Sequence, residues 1–129
     1  MKKRRILIVD DNHMITDMWT ILFEQVAEFD IRIENSGAAV LETARRFRPD
    51  LIFMDVCLSG ENGVEIAAEL EADPVLQSTP VVFLTGLSKG EVTERRLSDR
   101  HMVLTKPVKL QEILACAERS CPVPMLAAA

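Results

Sequence analysis

Five short apolar runs recur along the chain, and stretches with helical periodicity separate them. The runs occupy residues 5–9, 31–34, 51–54, 81–84 and 102–104. Residues 6–9, 51–54 and 81–84 are apolar at nearly every position, which is typical of central strands in a parallel sheet buried on both faces. Because parallel strands need long crossover connections, usually helices, this alternation predicts an α/β fold.

The stretches between the runs predict five helices. In the first, one amphipathic stripe contains Met14, Met18, Trp19, Leu22, Phe23 and Val26. Shorter stripes mark the second, third and fifth helices, at residues 40–47, 64–70 and 110–117, while the fourth, at 89–97, has only a thin stripe. We therefore expect a five-stranded parallel sheet, doubly wound by five helices, for which 2-1-3-4-5 is one common strand order.

Length, charge and cysteine content exclude several classes of protein. The 129 residues favour a single domain. A net charge of −5 argues against direct binding of nucleic acid. No apolar run approaches the roughly 20 residues of a membrane span, so no membrane association is expected. The three cysteines form neither an even set nor a CxxC pair, which predicts reduced thiols and a cytoplasmic protein.

Polar side chains follow the predicted strands where the strands end. Asp10 and Asp11 follow the first strand, Asp55 the third, Thr85 the fourth and Lys106 the fifth. In doubly wound sheets, ligands bind outside the carboxyl ends of the strands, where the strand order reverses. If the strand order is 2-1-3-4-5, strands one and three are neighbours about 4.8 Å apart. We therefore expect the three aspartates to crowd one pocket.

Crowded carboxylates need a counter-charge. Two unit charges about 4 Å apart repel by roughly 4 kcal/mol at an effective dielectric of about 20. Lys106 offsets only part of this repulsion, so a divalent cation is the expected further partner. Oxygen ligands with room for water suit Mg²⁺, or alternatively Mn²⁺, better than zinc.

A cation beside a carboxylate, a hydroxyl and an ammonium group is suited to receiving a phosphoryl group. A carboxylate can attack phosphorus to form an acyl phosphate, and the transfer depends mainly on positioning and counter-charge at three equatorial oxygens. The metal would take one oxygen, Lys106 a second and the Thr85 hydroxyl a third. Asp55 closes a central strand and is the expected nucleophile.

Five separated segments match one known family in order and spacing. They are ILIVDDN at 6–12, DLIFMD at 50–55, GENG at 60–63, PVVFLTG at 80–86 and LTKP at 104–107. With these segments the chain resembles the receiver domain of two-component response regulators. The resemblance covers residues 4–119, and residues 120–129 are interpreted as a C-terminal tail or linker remnant.

The resemblance implies a flavodoxin-like fold, with the strand order 2-1-3-4-5, and a signalling role. Asp55 would accept a phosphoryl group from a sensor histidine kinase or a phosphotransfer protein. Asp10, Asp11 and Asp55, with the backbone carbonyl of Cys57, would be the Mg²⁺ ligands. The chain would not be an enzyme, beyond autocatalytic acceptance of the phosphoryl group and slow autodephosphorylation.

The resemblance also implies an output surface. Thr85 and Lys106 would sense the phosphoryl group and bias a surface built from the fourth helix, fifth strand and fifth helix toward a downstream protein or domain. Val103 stands three residues before Lys106, where the family usually has an aromatic residue, and the chain contains no Tyr. The usual aromatic switch is therefore expected to be altered.

Three alternative functions remain to be weighed. A phosphohydrolase with an aspartyl nucleophile typically has an acid two residues after the nucleophile, where this chain has Cys57. A flavin-binding electron carrier needs a phosphate loop after the first strand, where Asp10 and Asp11 would repel phosphate. A degenerate receiver that acts only as an interaction scaffold is disfavoured because Asp55, Thr85 and the two early aspartates are all intact.

Overall fold

The computed structural model describes residues 4–25, 29–58, 61–85, 102–105 and 110–120. The strands in these ranges are β1 (Arg4–Val9), β2 (Phe29–Glu34), β3 (Leu51–Asp55), β4 (Cys57–Leu58), β5 (Glu61–Asn62), β6 (Val81–Thr85) and β7 (Met102–Thr105). The α-helices are α1 (His13–Glu24), α2 (Val40–Phe47), α3 (Gly63–Ala72) and α4 (Leu110–Ser120), and a 3-10 turn, Gly37–Ala39, precedes α2.

Five strands form one parallel sheet, in the order β2-β1-β3-β6-β7. These are the five predicted strands in chain order, so the predicted order 2-1-3-4-5 is confirmed. The short strands β4 and β5 form a separate antiparallel hairpin that the sequence did not predict. Helices α1 to α4 correspond to the first, second, third and fifth predicted helices. The predicted fourth helix, at 89–97, lies outside the described residues.

Buried apolar side chains cover both faces of the sheet. Successive residues of a strand point to opposite faces, so Leu7 and Ile52 pack toward α2 and α3, whereas Ile8 and Phe53 pack toward α1 and α4. Fully burying a side chain such as Phe53 stabilises the fold by about 1.5–3 kcal/mol. Burial on both faces explains why residues 6–9 and 51–54 are apolar without interruption.

Helix α1 buries only part of its predicted apolar stripe. Its buried residues are Thr16, Trp19 and Phe23. Met14 is 83% exposed and Met18 48% exposed, so the predicted stripe was wrong at these two positions. At 3.6 residues per turn, the two methionines lie on the side of the helix opposite the buried residues. The last residue of the predicted stripe, Val26, lies outside the described residues.

None of the helices within the described ranges has both the length and the apolar character that crossing a bilayer requires. The longest of them, α1, has 12 residues, whereas a membrane span needs about 20.

Asp73 joins α2 to the turn that follows α3. Its side chain is 3% exposed, and it accepts hydrogen bonds from the Val75 amide at 2.8 Å and from Arg45 Nε at 2.6 Å. The Val75 hydrogen bond, assisted by the Arg45 guanidinium and opposed by burial, holds the pKa of Asp73 below its ordinary value of 3.8. The carboxylate therefore stabilises the fold in its charged form.

We expect Asp73→Asn to lower the free energy of unfolding at neutral pH and to weaken its dependence on acid. Because the folded pKa is lowered, the contribution of Asp73 is complete above the unfolded value of 3.8 and is lost as the pH falls through the folded value. Urea unfolding of both proteins, measured from neutral pH to below pH 3.8, checks this expectation.

Glu42→Gln is the matched control, because Glu42 pairs with Arg46 at an exposed site. Exposed pairs contribute about 1 kcal/mol or less. If Asp73→Asn and the wild-type protein lost stability in parallel as the pH fell, the proposed contribution of Asp73 would be excluded.

Candidate functional site

Asp10, Asp11 and Asp55 meet at the carboxyl edge of the sheet. Asp55 is the last residue of β3, and the other two directly follow β1. The two strands are paired in parallel, from Ile6 opposite Leu51 to Val9 opposite Met54, so their ends lie side by side. One carboxylate oxygen from each aspartate lies within 4.8 Å of the others. The predicted crowding of the three acids is confirmed.

The three aspartates differ in their access to solvent. Asp10 is fully buried, Asp55 is 7% exposed, and Asp11 is half-buried. Burying a carboxylate is costly unless hydrogen bonds, opposite charges or a metal compensate for the lost water. One such hydrogen bond comes from the Asn12 amide, which donates to Asp10 Oδ1 at 3.0 Å. The site concentrates negative charge where little water reaches it.

Polar side chains hold the segment that carries Asp10 and Asp11. Asn12 is the N-cap of α1 and accepts hydrogen bonds from the amides of Met14 and Ile15. Asn35, at the end of β2, donates to the Asp10 carbonyl at 2.7 Å. Asn12 lies in one of the matching segments, but Asn35 was not predicted, because nothing local signals a contact across 25 residues.

Gly63 fixes the backbone beside Asp55. Its amide donates to the Val56 carbonyl at 3.0 Å, and a Cβ at this position would lie 2.1 Å from the Asp55 carbonyl oxygen. The first turn of α3 therefore packs directly against the end of β3, with no room for a side chain. Gly63 lies in the matching segment at 60–63, but no role was predicted for it. The available signal was a glycine placed immediately before an apolar helical stripe.

Two further predicted site residues, Thr85 and Cys57, stand near the same edge of the sheet by backbone position. Asp55 is opposite Leu84 in the β3–β6 register, so Thr85 is one residue beyond that pair. Cys57 begins β4, two residues after Asp55. The side chains of Thr85 and Cys57, and the whole of Lys106, lie outside the described residues. Val103, on β7, is half-buried and packs against the core on the side of α2 and α3.

The oxygen atoms at the acid site fit a small hard cation. Mg²⁺ binds oxygen ligands at about 2.0–2.1 Å in octahedral geometry, so ligand oxygens on opposite sides of one ion are about 4 Å apart. The three carboxylate oxygens all lie within 4.8 Å of one another, near enough to share one ion. Within the described ranges, Asp10, Asp11 and Asp55 are the one group of three or more acidic, His or Cys side chains whose possible ligand atoms lie this close together.

Comparison with known proteins identifies the class to which this fold and site belong. The family model of the response regulator receiver domain matches residues 6–118. The chain belongs to this family and is a response regulator receiver domain, as the resemblance predicted. Receiver domains are signalling domains that bind Mg²⁺ in their active site. The family match does not favour the phosphohydrolase, flavin-carrier or scaffold alternatives.

Relatives of known function agree with the family. The chain is 32% identical over 114 residues to the DNA-binding response regulator MtrA of Mycobacterium tuberculosis, covering 88% of this chain and 48% of MtrA. It is 30% identical over 112 residues to the polar-differentiation response regulator DivK of Brucella anthropi, covering 86% of this chain and 90% of DivK. The chain thus spans about half the length of MtrA but most of DivK.

Solved structures show the same fold. The chemotaxis protein CheY4 of Vibrio cholerae superposes with a TM-score of 0.81 at 23% identity, covering 92% of this chain and 99% of CheY4. The receiver domain of a sensor histidine kinase from Pseudomonas aeruginosa superposes with a TM-score of 0.82 at 23% identity, covering 92% and 98% of the two chains. That structure has a magnesium ion coordinated in its active site cleft.

Proposed function

We propose that this receiver domain accepts one phosphoryl group on the Asp55 carboxylate. The observation that carries the proposal is the convergence of three carboxylates within 4.8 Å at the ends of two paired strands. We assign the metal site to Asp10, Asp11, Asp55 and the backbone carbonyl of Cys57. A bound Mg²⁺ supplies positive charge against the phosphoryl oxygens, and Mn²⁺ has the oxygen preference to replace it.

The position of Asp55 in the sheet favours it as the nucleophile over Asp10. Strand β3 lies between β1 and β6, so Asp55 has the two other acids on one side and the end of β6 on the other. Asp10 is fully buried and already accepts a hydrogen bond from the Asn12 amide. An incoming phosphorus atom therefore reaches Asp55 more readily than Asp10.

The proposed reaction forms one bond and breaks one. An Asp55 carboxylate oxygen attacks phosphorus while the bond from phosphorus to the donor's leaving group breaks, and the product is an acyl phosphate. The Thr85 hydroxyl would donate a hydrogen bond to one phosphoryl oxygen, and the Lys106 ammonium group would pair with another. Hydrolysis of the acyl phosphate would return the domain slowly to its starting state. This chemistry is that of a signalling acceptor, not of an enzyme that turns over a separate substrate.

The proposed partners follow from this reaction. A sensor histidine kinase or a phosphotransfer protein would donate the phosphoryl group from phosphohistidine. A downstream protein or domain would bind a surface formed by three elements. These are the helix predicted at 89–97, strand β7, and α4, which is the fifth predicted helix. We propose no direct contact of this domain with nucleic acid, because its net charge is −5. We further propose that the receiver domain comprises residues 4–119 and that it is located in the cytoplasm.

Incubation with Mg²⁺ and acetyl phosphate tests the proposal. Mass spectrometry of the intact chain should show a gain of one phosphoryl group, about 80 Da, that hydroxylamine removes and that chelation of Mg²⁺ prevents. Asp55→Asn should show no gain. Asp30→Asn, the same change at an exposed position of β2, should be phosphorylated like the wild-type protein. A gain that persists in Asp55→Asn would overturn the assignment.

A further inference from the structure

Both backbone groups of Asp10 are held by residues at the end of β2. The Asp10 amide donates to the Glu34 carbonyl at 3.2 Å, and the Asp10 carbonyl accepts from Asn35 Nδ2 at 2.7 Å. The first bond continues the main-chain pairing of β1 with β2, whereas the second depends on a side chain. Because a carbonyl only accepts hydrogen bonds, the group that faces it is the amide nitrogen of Asn35.

The Asp10 carbonyl belongs to the peptide that joins Asp10 to Asp11. A peptide is planar, so holding its oxygen in one direction fixes the last backbone torsion of Asp10 and the first of Asp11. The Asp11 carboxylate has to be directed back toward those of Asp10 and Asp55, and the oxygens of all three lie within 4.8 Å of one another. The direction of the Asp11 side chain therefore depends on the hydrogen bond from Asn35.

Asn35 is itself held in place by α1. Its Nδ2 also donates to Thr16 Oγ1 at 3.3 Å, and Thr16 is 1% exposed. The Thr16 hydroxyl lies 3.2 Å from the His13 carbonyl, to which it donates in the first turn of the helix. An amide nitrogen with two hydrogens and two acceptors, both in buried residues, has little freedom to turn away. This network joins the ends of β1 and β2 to the start of α1.

We propose that Asn35 is a positioning residue for the metal site, which aims the Asp11 carboxylate at the cation by holding the peptide between Asp10 and Asp11. Asn35 contacts neither the metal nor the phosphoryl group in this scheme, and the inference rests on the proposed function of the three aspartates. Removing a group that orients a metal ligand typically costs about 10- to 100-fold in metal affinity.

Titration with Mg²⁺ alone tests the inference. We would follow amide chemical shifts of the ¹⁵N-labelled full chain and obtain the Kd of the wild-type protein and of Asn35→Ala. Water can replace the amide at the Asp10 carbonyl but does not fix its direction, so the Kd should rise about tenfold or more. Asn35→Ser, a milder change, should give a loss of the same order, so the test does not depend on the folding of one variant.

Thr43→Ala is the matched control for this titration. It also removes a half-buried side-chain hydrogen bond at the end of β2, the one that Thr43 donates to Glu34 Oε2 at 2.8 Å. Glu34 directly precedes Asn35, but its side chain is not part of the network that holds the Asp10 carbonyl. Thr43→Ala should therefore bind Mg²⁺ like the wild-type protein.

A double-mutant cycle with Asp11→Asn separates positioning from a general loss of structure. If Asn35 acts through Asp11, the two substitutions affect one ligand, and their effects on the Kd should not add. Asn35→Ala should then weaken Mg²⁺ binding much less in the Asp11→Asn background than in the wild-type protein. Additive losses, or an unchanged Kd in Asn35→Ala alone, would overturn the inference and leave the metal site standing. A wild-type protein that did not bind Mg²⁺ would overturn the proposed metal site as well.

Discussion

Gly63→Ala is expected to destabilise the domain by about 3 kcal/mol, at the upper end of the cost of overpacking a filled site. The added methyl group would lie 2.1 Å from the Asp55 carbonyl oxygen and 3.2 Å from Met54 Cγ. Because the nearer atom belongs to the backbone, no side-chain rotation relieves the clash. Either the first turn of α3 or the end of β3 must move.

The backbone conformation of Gly63 makes the test sharper. Gly63 is the first residue of an α-helix, a conformation that alanine adopts readily. Where alanine fits, Gly→Ala commonly stabilises a protein by about 0.4–1 kcal/mol. A large loss of stability can therefore be assigned to the contact with Asp55. Urea unfolding measures it, and Ala68→Gly, at an exposed site on the same helix, gives the cost of helix propensity alone, about 1 kcal/mol.

The same substitution should also slow phosphorylation. Moving the end of β3 changes the position of the Asp55 carboxylate relative to Asp10 and Asp11, and a displacement of about 1 Å at a reacting centre can cost about a hundredfold in rate. Acetyl phosphate labelling, timed by intact mass, measures this effect under conditions where the variant is folded. A variant as stable and as fast as the wild-type protein would contradict the role given to Gly63.

The sequence predicted the strands and the acids at their ends because both follow from local patterns, whereas the strand order came from the resemblance to receiver domains. An uninterrupted apolar run such as 51–54 indicates a strand covered on both faces, and the aspartate that follows it marks the strand's carboxyl end. Once α/β alternation implies a parallel sheet, aspartates at the ends of neighbouring strands must meet. Beyond these local patterns, only the adjacency of the first and third strands was needed to place Asp10, Asp11 and Asp55 together.

The features that the sequence did not predict depend on contacts between distant residues. The β4–β5 hairpin has two residues in each strand, too few to show a periodicity. Met14 and Met18 lie on the outward face of α1, so counting apolar residues alone made the predicted buried stripe too wide. The ion pair of Asp73 with Arg45 joins residues 28 apart, and neither side chain signals its partner. These contacts form only when the elements pack.

Mg²⁺ is expected to raise the thermal midpoint of the wild-type protein by about 10 °C when its concentration is about 100 times the Kd. Binding of a ligand to the folded state alone, at that concentration, contributes about 2.7 kcal/mol. The source of the effect is the acid cluster, whose carboxylate oxygens lie within 4.8 Å of one another. Like charges at this spacing repel by about 3 kcal/mol per pair at an effective dielectric of 20.

Asp11→Asn should reverse the order of stability with and without the metal. The substitution removes one negative charge at a half-buried position, so without Mg²⁺ the variant should unfold at a higher temperature than the wild-type protein. It also removes a proposed ligand, so its affinity for Mg²⁺ should fall at least about tenfold. At a fixed Mg²⁺ concentration that saturates the wild-type protein, the variant should therefore become the less stable of the two.

Differential scanning calorimetry over a Mg²⁺ titration measures this reversal. Asp17→Asn, the same change at an exposed position of α1, should follow the wild-type curve, which separates the acid cluster from a general effect of net charge. If Mg²⁺ shifted Asp11→Asn as much as the wild-type protein, Asp11 would not be a ligand. If it shifted neither, the carboxylates of this receiver domain would be held together by protein contacts alone, and the proposed metal site would be wrong.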